Sequence, residues 1–135
     1  MKRLLFIFAA LFGLCTIAIA QHPSTKKNTK HATVLEGTAS YYADKFQGRR
    51  MANGAKYDWH KYTAAANKIP LGTWVRVRNL SNKKNVIVQI TDRMSRKNKR
   101  LIDVSKASAI KLGFVEKGLA KVRVEVIDNP QKKSK

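Results

Sequence analysis

The chain has 135 residues, which is enough for one domain with a modest core and too few for two. Lys and Arg number 28 against 8 Asp and Glu, so the formal net charge is +20 at pH 7. A charge of this size favours anionic partners and predicts binding that weakens as salt is added. The one cysteine, Cys15, excludes an internal disulfide framework, and His22, His31 and His60 lack the spacing of a metal site. We therefore predict neither a metal nor another cofactor.

The N-terminal segment has the layout of a secretory signal peptide. Two basic residues precede an apolar run at residues 4–19, and Ala18, Ile19 and Ala20 form an A-x-A cleavage site. A membrane anchor is the alternative, but the run is shorter than the ~20 residues that a spanning helix needs. Lipid attachment at Cys15 is a third option, although the residues before it fit lipoprotein processing poorly. We expect cleavage after Ala20 and export to the periplasm or cell envelope, with secretion also open.

Composition divides the chain into four parts. They are the signal peptide at residues 1–20, a basic flexible linker at 21–33, a domain at 34–128 and a basic tail at 129–135. Removal of the signal peptide takes away Cys15 and two of the 28 basic residues. The mature chain then has no cysteine, and its 26 basic and 8 acidic residues give a net charge of +18.

Periodicity within the domain predicts short strands in chain order. Alternating or β-rich segments predict strands at residues 36–42, 74–80, 86–91 and 121–127. A short apolar run at residues 101–104 follows a basic loop at residues 93–100. The turn residues between the second and third of these strands predict a hairpin.

One short helix is predicted at residues 105–112, with Ser105 as its N-cap and Gly113 as its C-cap. Residues 57–67 are ambiguous, because three alanines favour a helix whereas the flanking aromatic residues suit a strand. About six short strands and one helix predict a small closed barrel, since closure removes the exposed strand edges.

Two carboxylates flank the most basic loop of the domain. Asp92 follows the strand at 86–91, and Asp103 lies within the next apolar run, after a loop (93–100) that holds five Lys or Arg. Strand ends beside irregular loops often carry functional side chains. The alternative is structural, with Asp92 capping a turn and Asp103 capping the helix that follows. Spacing alone leaves both interpretations open.

A series of short motifs in the domain resembles the rare lipoprotein A family. They are, in order, residues 37–42 (GTASYY), 52–54 (ANG), 57–58 (YD), 63–65 (TAA), 70–73 (PLGT), 75–77 (VRV), 79–80 (NL), 91–93 (TDR), 102–105 (IDVS) and 112–113 (LG). The resemblance implies a mainly-β fold, a small six-stranded double-psi β-barrel with one or two short helices. It also implies a cell-wall protein that binds peptidoglycan glycan strands and cleaves them as an endolytic transglycosylase, with 1,6-anhydromuramic acid products.

The resemblance implies a set of site residues as well. Asp92 is the expected catalyst, with Asp103 as a helper or sugar ligand by similarity to the more distantly related expansins. One carboxyl group can act first as acid and then as base, whereas hydrolases normally need two. The expected substrate-binding residues are Tyr42, Asn53, Trp59, Arg76 and Arg93.

Two departures from the family pattern leave a second interpretation open. Family members that are catalytically competent carry a Glu after the Asn-Gly turn and a His after Thr-Ala-Ala, and here these positions are Ala55 and Ala66. The alternative is therefore a non-catalytic, expansin-like module that binds or loosens the wall. A binder of nucleic acid or anionic membrane fits the charge, but no basic motif with interleaved aromatics supports it.

The expected partners are glycan strands and anionic wall polymers, with no nucleic acid. Membrane contact is expected only through charge or through a lipid on Cys15. The oligomeric state is left open.

Overall fold

The structure, a computed structural model, describes residues 32–132. Six strands form a closed barrel in the order β1-β5-β2-β4-β3-β6. The elements are β1 (Val34–Tyr41), a single-turn 3₁₀ helix η1 (Asp44–Phe46), β2 (Thr63–Ala65), β3 (Trp74–Asn79), β4 (Asn85–Asp92), β5 (Ile102–Val104), α1 (Lys106–Leu112) and β6 (Ala120–Ile127). The predicted mainly-β, six-stranded double-psi β-barrel is confirmed.

Alternation along three strands fills the barrel with valine and isoleucine. The buried side chains of these strands are Val75 and Val77 of β3, Val86, Val88 and Ile90 of β4, and Val122 and Val124 of β6. The residues between them, such as Arg76 and Arg78, are exposed on the outer wall. This period of two is what a strand with one buried face requires, so the predicted hairpin and the last strand are confirmed.

The ambiguous segment at residues 57–67 contains a strand and no helix. Only Thr63–Ala65 is extended, and β2 pairs with β4 on one side and β5 on the other. Ala64, Ala65 and Ala66 are all buried in the barrel. Their small side chains let neighbouring strands and the core pack closely, which outweighs the helix propensity of alanine.

The two pairings of β2 bring distant parts of the chain to one end of the barrel. β2 runs parallel to β4, so that Ala65 lies opposite Asp92, and β2 runs antiparallel to β5, so that Ala65 also lies opposite Asp103. Paired residues on neighbouring strands project to the same face. Asp92 and Asp103 therefore lie on either side of Ala65, about two strand spacings or roughly 10 Å apart between backbones.

Helix α1 begins and ends as its sequence predicts. The side chain of Ser105 accepts a hydrogen bond from the Ser108 N–H, and Gly113 ends the helix in the left-handed region at φ 73°. A Cβ atom at Gly113 would also lie 2.9 Å from Nδ2 of Asn82, so both conformation and space favour glycine there. Ser105 therefore caps this helix, and Asp103 does not.

Asn79 ties the β3–β4 hairpin to the end of α1. Its buried Nδ2 donates to the Leu112 carbonyl at 3.0 Å, and its Oδ1 accepts from the Ser81 N–H at 3.0 Å. We expect Asn79→Ala to lower the free energy of unfolding by about 1–3 kcal/mol, because it leaves the Ser81 N–H without its partner and removes one of two side-chain donors from the Leu112 carbonyl. Urea denaturation measures this change. Asn82→Ala, which removes a less buried bond to the same carbonyl at 2.9 Å, should cost less; equal losses would contradict this account.

The predicted signal peptide at residues 1–20 lies outside the described residues, and its cleavage and the fate of Cys15 stay predictions. Within residues 32–132, no helix is long and apolar enough to cross a membrane.

Candidate functional site

A cleft of about 560 Å³ lies at the end of the barrel where β4 terminates. Both carboxylates of interest, Asp92 and Asp103, line it. Its aromatic side chains are Tyr41, Tyr42, Phe46 and Tyr57, and its cationic side chains are Arg49, Arg50, Arg93 and Arg100. The cleft thus combines apolar ring faces with a surplus of positive charge.

Three donors hold the Asp92 carboxylate in a fixed orientation. Its Oδ1 accepts from the backbone N–H of Ala52 and of Arg93, each at 2.8 Å, and its Oδ2 accepts from the Tyr42 hydroxyl at 2.6 Å. All three contacts need an oxygen acceptor, which an ionised carboxylate supplies. Across residues 32–132, no side-chain nitrogen of Lys, Arg or His lies within 4.0 Å of this carboxylate. Asp92 is therefore anchored by hydrogen bonds and free of a direct ion pair.

Tyr42 is half-buried beside Asp92 and remains a phenol. Burial raises its pKa far above the usual range, and the hydrogen bond to Asp92 raises it further. Its ring packs against Tyr57, with centroids 4.4 Å apart, and against Phe46 at 5.8 Å. The packing fixes the ring, so the hydroxyl stays directed at Asp92 Oδ2.

Asp103 is held quite differently, by a cation. Arg100 donates to both of its oxygens, from Nε at 2.8 Å and from Nη2 at 3.0 Å, and Asn98 Nδ2 lies 3.4 Å from Oδ2. This bidentate pair raises the pKa of Arg100, chiefly through the hydrogen bonds to Asp103. Asp103 is also the middle residue of β5 and not a strand end as the spacing had indicated. The Asp103 carboxylate therefore binds Arg100 and orients the end of the basic loop at residues 93–100.

Arg93 turns its side chain toward the backbone of the barrel rim. Its Nη1 donates to the carbonyls of Ala66 at 2.5 Å and Ile69 at 2.7 Å. Arg93 thus lines the cleft while its guanidinium ties down the segment that follows β2.

The structure does not bring three of the expected substrate-binding residues to this cleft. Asn53 lies in the exposed turn, where its Oδ1 accepts from the Ala55 N–H at 3.0 Å. Arg76 lies on the outer wall of β3, 3.5 Å from Glu125. Trp59 lines a separate pocket. Of the five residues, Tyr42 and Arg93 line the cleft with Asp92.

Several cleft residues were missed from the sequence. Phe46 ends the single-turn helix η1, and Met51, Tyr57 and Asn98 lie in loops without periodicity. Only the three-dimensional fold brings these four residues to Asp92. Arg100 was missed as well, because an ion pair at a spacing of three residues is expected from sequence on a helix, and Asp103 lies in the strand β5.

The two alanines of interest occupy different environments. Ala55 is exposed in the turn, and Ala66 is fully buried, with its backbone N–H 3.2 Å from the Asp92 carbonyl. A side chain at position 66 therefore starts directly beside Asp92. Within the part of the chain that the structure describes, no three His, Cys, Asp or Glu residues are grouped to hold a metal.

The fold and this cleft define a double-psi β-barrel protein with a carboxylate held at the barrel end. The family model described as "Lytic transglycolase" matches residues 34–124, and the chain belongs to this family. The resemblance to the rare lipoprotein A family is confirmed with it.

Two relatives are named as endolytic peptidoglycan transglycosylase RlpA. The protein of Pseudomonas aeruginosa is 48% identical over 104 residues, which are 77% of this chain and 30% of the relative. That of Neisseria meningitidis is 45% identical over 103 residues, which are 76% of this chain and 43% of the relative. The chain thus spans less than half the length of these relatives.

Solved structures share the fold at low identity. A Clavibacter michiganensis expansin variant in complex with cellohexaose aligns with a TM-score of 0.58 and 19% identity, over 76% of this chain and 54% of that one. A Streptomyces papain inhibitor aligns with a TM-score of 0.56 and 24% identity, over 71% of this chain and 96% of that one. At these identities the likeness describes the barrel and nothing more.

Proposed function

We propose that this protein binds glycan strands of peptidoglycan in the Asp92 cleft and cleaves them as an endolytic transglycosylase. The observation that carries the proposal is the Asp92 carboxylate, anchored by three donors in an open cleft without a direct cationic partner. Family membership and two relatives named for this activity support the same choice. Export to the cell envelope, which the predicted signal peptide would direct, is part of the proposal.

The reaction needs one acid step and one base step. Asp92 enters the reaction as the protonated carboxyl group and gives its proton to the oxygen between N-acetylmuramic acid and N-acetylglucosamine, while the bond from carbon one of the muramic residue to that oxygen breaks. The carboxylate then takes the proton from the 6-hydroxyl of the same muramic residue, whose oxygen attacks carbon one and closes the 1,6-anhydro ring. A single carboxyl group serves both steps, and no water enters the product.

Tyr42 supports both protonation states of Asp92. Its hydroxyl donates to the carboxylate in the resting site at 2.6 Å. A phenol oxygen can also accept a hydrogen bond, so the same group can turn to accept one when Asp92 carries the proton. Because its pKa is raised, Tyr42 stays protonated across the physiological range.

Asp103 is proposed as a support and not as a second acid. Its pairing with Arg100 leaves Asp92 as the free carboxylate of the cleft, whereas hydrolysis normally uses two carboxyl groups across the bond. Arg49 and Arg50, which line the cleft, are proposed to contact carboxylates of muramic lactyl groups or stem peptides. A guanidinium presents a planar pair of donors that matches a carboxylate.

We expect Tyr42→Phe to lower kcat by about ten- to 150-fold with KM little changed. A hydrogen bond to a charged group is worth about 1.5–3 kcal/mol, and the change removes it while keeping the ring packing. Steady-state kinetics on amidase-stripped strands measures kcat and KM separately. Tyr62→Phe is the matched control, because Tyr62 is 46% exposed and does not line the cleft. Equal rates for wild type and Tyr42→Phe would contradict the role given to this hydroxyl.

The second candidate function is a non-catalytic wall-binding module. It is favoured by Ala55 and Ala66, which stand where competent members of the family carry Glu and His. In that case the barrel keeps the cleft and its Asp92 anchor but lacks groups that assist the acid step.

A pull-down on purified peptidoglycan with a salt series tests engagement of the wall polymer. Recognition of glycan by rings and hydrogen bonds should survive high salt, because these contacts are short and screened little. Loss of all binding at high salt would favour attraction of anionic polymers, membrane or nucleic acid by net charge alone.

Incubation with amidase-stripped strands tests the proposed cleavage. Soluble fragments measured by chromatography should appear with stripped strands and, more slowly, with intact peptidoglycan. Retained binding without any release would contradict the enzymatic proposal and support the second candidate.

A further inference from the structure

A second concave site lies close to the cleft, on the other side of η1. It has a volume of about 300 Å³ and is lined by Asp44, Gln47, Trp59 and Lys106. The Asp92 cleft is lined by Ala43 and Phe46. Residues 43–47 therefore contribute to both depressions, and η1 forms the ridge between them.

The backbone of Trp59 is held by two hydrogen bonds, and its ring is exposed. Its backbone N–H donates to Gln47 Oε1 at 2.9 Å, and its carbonyl accepts from the Ala107 N–H at 2.9 Å, in the first turn of α1. The imidazole of His60 stacks on the indole with centroids 3.7 Å apart. An indole that stacks on His60 and is still 38% exposed offers a surface on which a ligand ring can stack.

The polar groups of this pocket suit an N-acetylated sugar. Lys106 Nζ donates to Asp44 Oδ1 at 3.0 Å, so a cation and a carboxylate lie together at the pocket wall. Gln47 uses its side-chain oxygen for Trp59 and keeps its amide N–H donors. A ring face for the apolar side of a pyranose, with a few charged and amide groups at its edge, is the usual composition of a small-ligand site.

We propose that the Trp59 pocket is a distal subsite that binds a further sugar of the strand held in the Asp92 cleft. The inference rests on the proposed function, because the ligand is the same glycan strand, which crosses the η1 ridge. It explains an exposed indole and a neighbouring pocket that the chemistry at Asp92 does not use. Binding at this distance from the reacting bond makes affinity depend on strand length.

Affinity for glycan oligomers of different lengths tests this subsite. All proteins carry Asp92→Asn so that the ligands stay intact, and calorimetry compares a stripped disaccharide with stripped tetra-, hexa- and octasaccharides. Trp59→Ala should bind the longer oligomers about three- to tenfold more weakly, in line with the value of one aromatic contact. For the shortest oligomer that binds to the Asp92→Asn protein with Trp59 intact, the addition of Trp59→Ala should not weaken the affinity. Trp59→Phe should recover part of the affinity.

Tyr62→Ala is the matched control, since Tyr62 is an exposed aromatic residue three positions away that does not line the pocket. In the Asp92→Asn background, Tyr62→Ala should bind every oligomer with the same affinity as the protein that carries Asp92→Asn and no other substitution. The fluorescence of Trp59 gives an independent readout: in Trp74→Phe, which leaves Trp59 as the one tryptophan of the two in the chain, long oligomers should change the emission and the shortest one should not.

The outcomes separate the subsite from the proposed function. If the Asp92→Asn protein with Trp59 intact binds long oligomers but Trp59→Ala in the same background binds them equally well, the subsite is wrong and the proposed function stands. If no oligomer binds to the protein with Trp59 intact, the proposed function fails and the subsite fails with it.

Discussion

Asp92→Asn is expected to abolish strand cleavage, with a loss of at least about 10³-fold in the rate of fragment release. Acid–base catalysis by a positioned side chain is typically worth 10²–10⁴-fold, and here one group is asked to perform both transfers. Binding should persist, because the Asn oxygen can still accept from Ala52 and Arg93 and its amide can donate to the Tyr42 oxygen. Initial rates and a pull-down on the same stripped strands measure both effects.

Asp103→Asn is the control for the Asp92 result. Asp103 lies in the same cleft but is bound by Arg100, so its substitution should loosen the basic loop and lower the rate much less. Equal losses from the two substitutions would contradict the separate roles of the two carboxylates. A fully active Asp92→Asn would remove Asp92 from the chemistry altogether.

Phe114→Ala is expected to produce the largest loss of stability, about 3–5 kcal/mol. Phe114 is 1% exposed, lies directly after the Gly113 cap and packs edge-on against Tyr41 at a centroid distance of 5.9 Å. The total free energy of unfolding of a small domain is only about 5–15 kcal/mol. Such a loss would therefore leave little reserve, and Tyr41 at the cleft would lose its support.

Chemical denaturation monitored by circular dichroism measures this change. Ile110→Ala is the matched control, because Ile110 is 57% exposed on α1 and surface substitutions usually stay within about 0.5 kcal/mol. A loss below about 1 kcal/mol for Phe114→Ala would show that the packing of Phe114 against Tyr41 is not a main part of the core.

Periodicity and capping residues were sufficient to predict the β3–β4 hairpin, β6 and α1 from the sequence. The β3–β4 hairpin and β6 alternate with period two, and α1 is marked by Ser105 and Gly113 at its two ends. These features depend on residues a few positions apart, so periodicity and capping rules detect them.

The short strands could not be predicted in the same way. β2 and β5 have three residues each, too few for a period. Each is a strand because it pairs on both sides, β2 with β4 and β5, and β5 with β1 and β2. The parallel pairings of β1 with β5 and β2 with β4 join segments far apart in the chain. The family resemblance, and not periodicity, supplied this topology in advance.

In the candidate site, too, some features could be predicted from nearby residues and others depend on contacts between distant parts of the chain. Asp92 was readable as the end of a clear strand, but its partner Tyr42 is 50 positions away. For Arg76 the alternation of the strand already argued against a place in the cleft, because Val75 and Val77 face the core and Arg76 therefore lies on the outer wall. Trp59 lies in an aperiodic loop, and only the packing of that loop against α1 and η1 puts it in a pocket outside the cleft.

Mass spectrometry of fragments released from stripped strands in oxygen-18-labelled water tests the central claim most directly. Cleavage by Asp92 without water should give strands that end in 1,6-anhydromuramic acid and carry no heavy oxygen. Reducing ends that carry the label would contradict the account, because they require a water nucleophile and hence a hydrolase. Intact strands that remain bound to the protein would also contradict it, and would make the barrel a wall-binding module.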